Sequence, residues 1–516
     1  MICKHPELLP CGMQAAVEKI NRYLSSPLSV VILAGLTAAA FALSMEMAFY
    51  CFVIVYAIYV ALFAHDFSPL MPLFVFCYIA PSAANNPGMH EQSVFSGARG
   101  IFLICFVAIP VLLLFFRMAV DQRIGVRKLF CMQRKQLTGL LLLGGAFLLS
   151  GIGSRDYTSL WQRNLVFAAL QLLAFLLLYF VFTATVDWER FNPAYFAAIG
   201  IGMGFVVTIE LLIVYMQNEY LGTAMIYREN IYTGWGVSNN LGSMIAMSIP
   251  FAMYFSARGK HATLWFSSSL ILLAAVFMTG SRSAMLVAVP VYLVCLVITC
   301  KSAQNPIGFR RIILVALALL AVLTVIFRKE IPTIFEQVPG IVESIDGQLV
   351  LNDSHRLEIY KNGLLAFSRS ILFGESFFPQ DYLLYDFSTV EAFSGFFPPR
   401  WHNTVIQLLA SCGLVGFAAY LFHRYQTLRL FLERRRSGTC AHNDYIALSA
   451  AALLLTSLLD CHLFNVGPAL FYSMMLAVIE CSKETAEPDP LFSATGVLKT
   501  IRALPFWTTK TEEDEP

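Results

Sequence analysis

Charge is scarce in this chain. Only 13% of its 516 residues are Asp, Glu, Lys or Arg, where a soluble domain carries about 25%. That deficit excludes an ordinary soluble globular protein. Motifs for nucleotides and metals are missing too: there is no Walker loop, no G-x-G-x-x-G after a strand and no H-E-x-x-H. No D-x-D-like carboxylate pair stands in the outer loops to hold a divalent metal, which disfavours metal-dependent nucleotide-sugar chemistry. The twelve cysteines include no C-x-x-C pair. Many of them, such as Cys51, Cys77, Cys105 and Cys295, lie inside apolar runs, where cysteine behaves as a small hydrophobe. That pattern argues against a disulfide framework or a zinc site. No internal repeat is visible. No cleavable signal peptide is expected either, because Met1 to Ser26 is polar and the first apolar run leads directly into a second. The net charge of +2 says little by itself.

What is abundant is apolar length. Hydrophobic residues make up 58% of the chain, in runs of roughly 16 to 24 residues, the length of a membrane-spanning helix. The runs are continuous rather than alternating, so helices and not barrel strands are expected to satisfy the backbone in lipid. The expected fold is an all-α polytopic bundle of about 14 (12–14) transmembrane helices with one large extracytoplasmic loop that contains an amphipathic helix. Spans are placed near 28–45, 47–64, 68–84, 99–118, 137–152, 163–185, 194–217, 239–256, 263–278, 284–300, 310–327, 403–423, 445–460 and 465–481. The organisation is then a cytoplasmic segment 1–27, helices 1–11 over 28–327, an outer catalytic loop 328–402, helices 12–14 over 403–481, and a polar tail 482–516 expected to be disordered.

Loop charges fix the expected orientation, since Lys and Arg gather on the cytoplasmic side. Lys4, Lys19 and Arg22 precede the first span. Arg117, Arg123, Arg127, Lys128, Arg134 and Lys135 follow the fourth. Arg258 and Lys260, then Lys301, Arg310 and Arg311, then Arg424, Arg429, Arg434, Arg435 and Arg436 mark later loops on the same side. Both termini are therefore expected in the cytoplasm, and the Arg328 to Asn403 segment outside. Within it, Asn352-Asp353-Ser354 offers helix N-caps, and Leu357, Tyr360, Leu364 and Phe367 recur at helical spacing. Such an amphipathic helix suits the membrane surface or the cap of a bundle.

Candidate chemistry lies at the outer boundary. His402 and Asn403 stand where the loop enters a span, and a histidine there can accept a proton from a hydroxyl near neutral pH; capping a helix is its structural alternative. Arg282, in the short turn Thr279-Gly280-Ser281-Arg282-Ser283-Ala284, is costly at that depth unless it faces a polar partner. Its guanidinium fork suits a phosphate, with snorkelling to the interface as the alternative. Arg356 on the loop helix is a second candidate phosphate clamp, against a solvated helix face. Arg155, Asp156, Arg163, Arg228, Asn239, Asn240, Asp460 and His462 are further outer-side polar groups. Asp460 and His462 form an alternative acid/base pair, expected at the other end of the bundle.

Taken together, three stretches resemble the O-antigen ligase and polymerase superfamily of bacterial envelope enzymes. They are GWGVSNNLGSMIAMSIP (Gly234 to Pro250), TGSRSA (Thr279 to Ala284), and HRLEIYKNGLLAFSRSILFG (His355 to Gly374) with HNTVIQLLASCGLVGFAAYL (His402 to Leu421). Ser283 departs from the pattern, where a Gly often follows the Arg. The resemblance implies a donor glycan on a polyprenyl (undecaprenyl) pyrophosphate, used at the outer face of the bacterial cytoplasmic membrane without a metal or other cofactor. It implies His402 as the essential histidine and Arg282 and Arg356 as pyrophosphate-binding arginines, with Asn403, Arg228 and Asn240 as possible contributors. The expected partners are that donor, a glycan acceptor and the lipid bilayer; no nucleic acid is expected. The leading expectation is polymerisation or ligation of a surface polysaccharide. Transfer to lipid A core or to protein hydroxyls is the alternative within the family, and a lipid-linked glycan flippase the alternative outside it. Transporters favour paired repeats and Gly/Pro-broken helices meeting near the midplane, whereas this chain has one large outer loop placed off-centre and polar candidates clustered at the outer boundary.

Overall fold

The computed structural model describes residues 11–43, 45–77, 97–120, 135–154, 157–172, 176, 178–217, 231–233, 236–258, 261–326, 342–345, 348–351, 356–378, 400–436 and 442–482. Seventeen helices stand among these residues. In chain order they are α1 Cys11–Leu24, α2 Pro27–Ala42, α3 Glu46–Phe63, α4 Met71–Phe76, α5 Gly97–Val120, α6 Leu137–Leu148, α7 Tyr157–Leu172, α8 Leu178–Thr185 and α9 Pro193–Gln217. The others are α10 Ser238–Arg258, α11 Ala262–Met278, α12 Arg282–Ser302, α13 Pro306–Ile326, α14 Arg356–Arg369, α15 Thr404–Arg436, α16 His442–Leu459 and α17 Val466–Cys481. Two short antiparallel hairpins accompany them, Tyr232–Thr233 with Gly236–Val237 and Val342–Ile345 with Gln348–Leu351.

Among the described residues the expected apolar runs hold helices, two of them divided, and 78–84 lie outside the described residues. The 163–185 run holds α7 and α8, and the 68–84 run begins with a 3-10 turn at Ser68–Leu70 followed by α4. By length and composition, Pro193–Met216, Arg282–Ser302 and Thr404–Arg436 are long and apolar enough to cross a membrane. Met13–Leu24 with Pro27–Ala42, bent by 73°, passes as a fourth if the pair is one span. Exposed Leu286, Leu293, Val297, Leu314, Val315 and Val325 on α12 and α13 are what a lipid-facing surface requires. Of the outer loop, 342–345, 348–351, 356–378 and 400–403 are described, whereas Arg155, Asp156, Arg228, the 352–354 caps and the 483–516 tail lie outside the described residues.

Helix α10 is the hub. Every residue from Leu241 to Ala257 is buried, and the helix packs against α9, α11, α12 and α16. Its polar side chains are spent between helices, as they must be where water is absent. Ser243 shares a 2.8 Å hydrogen bond with Thr456, and the Ser449 hydroxyl donates to the Met247 carbonyl at 2.7 Å.

Contacts between loops sort the bundle into two ends. At one, the Asp187 amide donates to Asp66, Asn21 donates to the Phe63 carbonyl, and the Gln304 amide donates to the Ala257 carbonyl. Arg117, expected as a loop charge, is instead buried there and donates to the carbonyls of Val60, Ala61, Ala64 and His65, closing the end of α3. At the other end lie Ser150, Asn164, Met278, Ser281, His402 and Asp460. Every one of these contacts joins segments that the alternation of spans puts on the same side.

Helix α14 docks differently from expectation. Leu357 and Leu364 of the expected apolar stripe are 67% and 48% exposed. The buried face is made of Gly363 and Ala366, which meet Trp401, Ile406 and Ala410. Small residues allow the helix to approach closely enough to bury Trp401, and the leucines are left exposed. The segment after α14 then threads into a break in α15. Gly413 interrupts that helix with φ 62° and ψ −157°. The amides of Leu414 and Val415, freed of helical partners, donate to the carbonyls of Ile371 and Leu372 at 2.8 and 3.1 Å. In return the Glu375 and Ser376 amides donate to Ala410 and Ser411 at 2.8 and 3.2 Å. A strand-like clasp thus ties the segment after α14 to α15 more than two turns beyond His402.

Candidate functional site

The start of α15 is capped by Asn403. Its side-chain oxygen accepts from the amides of Val405 and Ile406 at 2.8 and 3.1 Å, the geometry of a helix N-cap. Its amide group donates to the Leu458 carbonyl at 2.7 Å, pinning α15 to the end of α16. His402, just before the cap, holds the left-handed conformation at φ 48°, a strained choice for a non-glycine residue. The Tyr360 hydroxyl of α14 donates to the His402 carbonyl at 3.1 Å. The Trp401 amide donates to Gln407 at 3.0 Å. The backbone at His402 is therefore held from both sides.

The imidazole Nδ1 of His402 lies 3.2 Å from Oδ1 of Asp460. The Asp460 side chain is 8% exposed and that of His402 37%. Asp460 also accepts from its neighbour Cys461's amide at 2.7 Å and, through Oδ2, from Asn239 at 2.8 Å. Asn239 in turn accepts from the Ser281 hydroxyl at 2.9 Å. Ser281 caps α12 through the Ala284 amide, and Arg282 is the first residue of that helix. A Cβ on Gly242 would sit 2.6 Å from the Ala284 Cβ, so the close approach of α10 to the Ser281 turn depends on that glycine. One hydrogen-bonded chain, His402–Asp460–Asn239–Ser281, thus joins segments far apart in sequence.

Burial alone would raise the Asp460 carboxyl. The charges of His462 and His402, the hydrogen bond from His402 and the Cys461 amide outweigh it and hold the carboxyl well below the usual range. That carboxylate is placed to accept from Nδ1–H, the arrangement in which a carboxylate orients an imidazole. His462 differs: burial lowers it from 6.5 to about 4 against the pull of Asp460, and Arg400, His402 and Arg356 lower it further. Its Nδ1–H then donates to Asn240 at 2.8 Å, and Asn465 donates to the same oxygen at 2.7 Å.

Asp460 and His462 were expected as a rival pair at the other end of the bundle. The structure corrects this: Asp460 is the partner of His402, and both histidines belong to one site. Arg356 is close enough to influence Tyr360 and His462, and Arg282 follows Ser281, the last group of the hydrogen-bonded chain. Asn403 and Asn240 serve as cap and as acceptor for His462. Arg163 is exposed on α7. Gln407, Ser281 and Arg400 were not foreseen. The signal available for Asp460 was a lone carboxylate between two apolar runs.

A pH effect on stability follows. A folded His462 near 4, against 6.5 unfolded, favours the neutral form. Its contribution is complete above pH 6.5 and is lost as pH falls toward 4, by about 3 kcal/mol in all. Thermal melts in detergent at pH 7 and 4.5 should show this loss in the parent, and His462→Asn should lack that share of it. Equal pH dependence in both proteins would contradict the assignment.

Fold and site together define a helical membrane protein with an Asp-supported histidine at one end of its bundle. Residues 267–421 match the family model described as O-antigen ligase. A search of curated proteins finds no match to the chain. The matched segment includes Ser281, Arg282, Arg356, Arg400, His402 and Asn403; Asn239, Asn240, Asp460 and His462 lie outside it.

Proposed function

We propose that this protein transfers an oligosaccharide from a polyprenyl (undecaprenyl) pyrophosphate to a glycan hydroxyl at the outer face of the bacterial cytoplasmic membrane. The product is a polymerised or ligated surface polysaccharide. The observation that carries the reading is the His402–Asp460 pair at the matched domain's end, bonded through Asn239 to the turn that bears Arg282. Asp460 orients the imidazole, and Nε2 takes the proton of the acceptor hydroxyl as the glycosyl bond forms. Arg282, in the first turn of α12, offers its fork together with the positive end of the helix to a diphosphate. Arg356 approaches from α14. No step in this scheme uses a metal.

In this reading the chain crosses the membrane about 14 times, counting the shorter and divided helices. The end rich in Arg and Lys, with both termini, faces the cytoplasm, and the loop over 328–402 lies outside. Donor titrations on purified protein test the arginine roles. Arg282→Ala and Arg356→Ala should each raise donor KM about 10-fold or more, and Arg→Lys should rescue only part, because the fork is lost. Unchanged donor KM in both alanine variants would contradict the clamp.

A further inference from the structure

Arg400 has no part in the scheme so far. Its half-buried side chain lines a small cavity with Phe167, Phe377, Gln407, Cys461 and Phe464. No carboxylate pairs with it among the described residues. The carboxylate beside Cys461 is Asp460, and both of its oxygens are engaged, Oδ1 by His402 and the Cys461 amide and Oδ2 by Asn239. A guanidinium that has lost part of its water and, among the described residues, faces no free anion is costly unless a ligand supplies one. Arg400, His402 and Arg356 all bear on His462, with Arg400 the strongest of the three. Two arginines, Arg400 and Arg356, therefore bear on one turn whose carboxylate, Asp460, is already engaged.

The proposed reaction creates a charge that two arginines leave unmatched. A glycan-bearing polyprenyl diphosphate carries two negative charges. When the bond from the sugar's anomeric carbon to the phosphate oxygen breaks, its electron pair stays on that oxygen. The departing polyprenyl diphosphate then carries a third charge. The acceptor oxygen bonds to the anomeric carbon, and its proton passes to His402. We infer that Arg400 is a third phosphate-binding arginine, which receives the charge that develops on the leaving diphosphate. Stabilisation of charge that appears only as the bond breaks raises kcat rather than lowering KM.

This inference rests on the reading of the site as a lipid-diphosphate glycan transferase, and one experiment separates the two. Full-length protein in nanodiscs is assayed for donor consumption, with inorganic pyrophosphate as inhibitor. Arg400→Gln should lower kcat about 10- to 100-fold, change donor KM far less, and weaken pyrophosphate inhibition by a similar factor. Arg400→Lys, which keeps the charge without the fork, should recover part of both. It also serves as the folding-competent variant if Gln lowers the yield. If folded Arg400→Gln keeps parental kcat and pyrophosphate sensitivity, the inference is wrong and the proposed function stands. A melting-temperature loss with pyrophosphate sensitivity unchanged would mark Arg400 as structural and equally overturn it. A parent protein that neither consumes donor nor responds to pyrophosphate would sink the reading itself, and Arg400's assignment with it.

Discussion

His402→Ala is expected to reduce glycan transfer by about 10²- to 10⁴-fold while the protein still inserts and folds. The imidazole is 37% exposed on its side chain, so its removal opens no sealed core, and the Asn403 cap and Trp401 packing remain. Asp460→Asn is the sharper companion. An amide cannot accept the Nδ1 proton with a carboxylate's strength, and it disturbs the bond that Asn239 donates at 2.8 Å. Transfer should fall substantially while His402 is intact. The check is donor consumption by purified variants whose melting curves resemble the parent's. Parental turnover in both would remove His402 and Asp460 from the chemistry.

Gly413→Ala is expected to cost the most stability. The residue sits at φ 62° and ψ −157°, a region that only glycine occupies without strain of about 1–3 kcal/mol. An added Cβ would also lie 2.6 Å from the Ile371 carbonyl oxygen, so the clasp must open. Gly374, at φ 69°, faces it, and a Cβ there would fall 2.5 Å from the Ser411 oxygen and Cys412 nitrogen. Both variants should melt well below the parent and lose transfer, since the clasp positions α14 and its Arg356. Gly35→Ala is the control, because nothing lies within 4 Å of a Cβ there. A parental melting temperature for Gly413→Ala would contradict the account of the clasp.

The helices were legible because apolar length and loop charge act over a dozen residues or more, and local counting captures both. The 356–369 helix was legible from period, but its buried face was not. Period weighs Leu357 and Leu364 heavily, whereas the docking surface was chosen by small size at Gly363 and Ala366, which permits contact with Trp401. His402 and Arg282 stood out as polar groups at apolar boundaries. Asp460 did not join them on the page, because 58 residues separate it from His402 and only the antiparallel packing of α15 and α16 brings them together. Asn239 is similar: its value lies in being the group between Asp460 and Ser281, a property of three helices meeting. Gly374 and Gly413 lie within the stretches that carry the family resemblance, and the backbone bonds between their neighbours give each glycine its physical reason.

The most direct test of the central claim follows a labelled polyprenyl-pyrophosphate oligosaccharide incubated with purified parent protein and with His402→Ala in lipid. The account predicts that the parent consumes the donor, releases polyprenyl pyrophosphate and moves the label onto an acceptor glycan, and that His402→Ala does none of this. Donor that crosses the bilayer intact without being consumed, or equal transfer by both proteins, would contradict it.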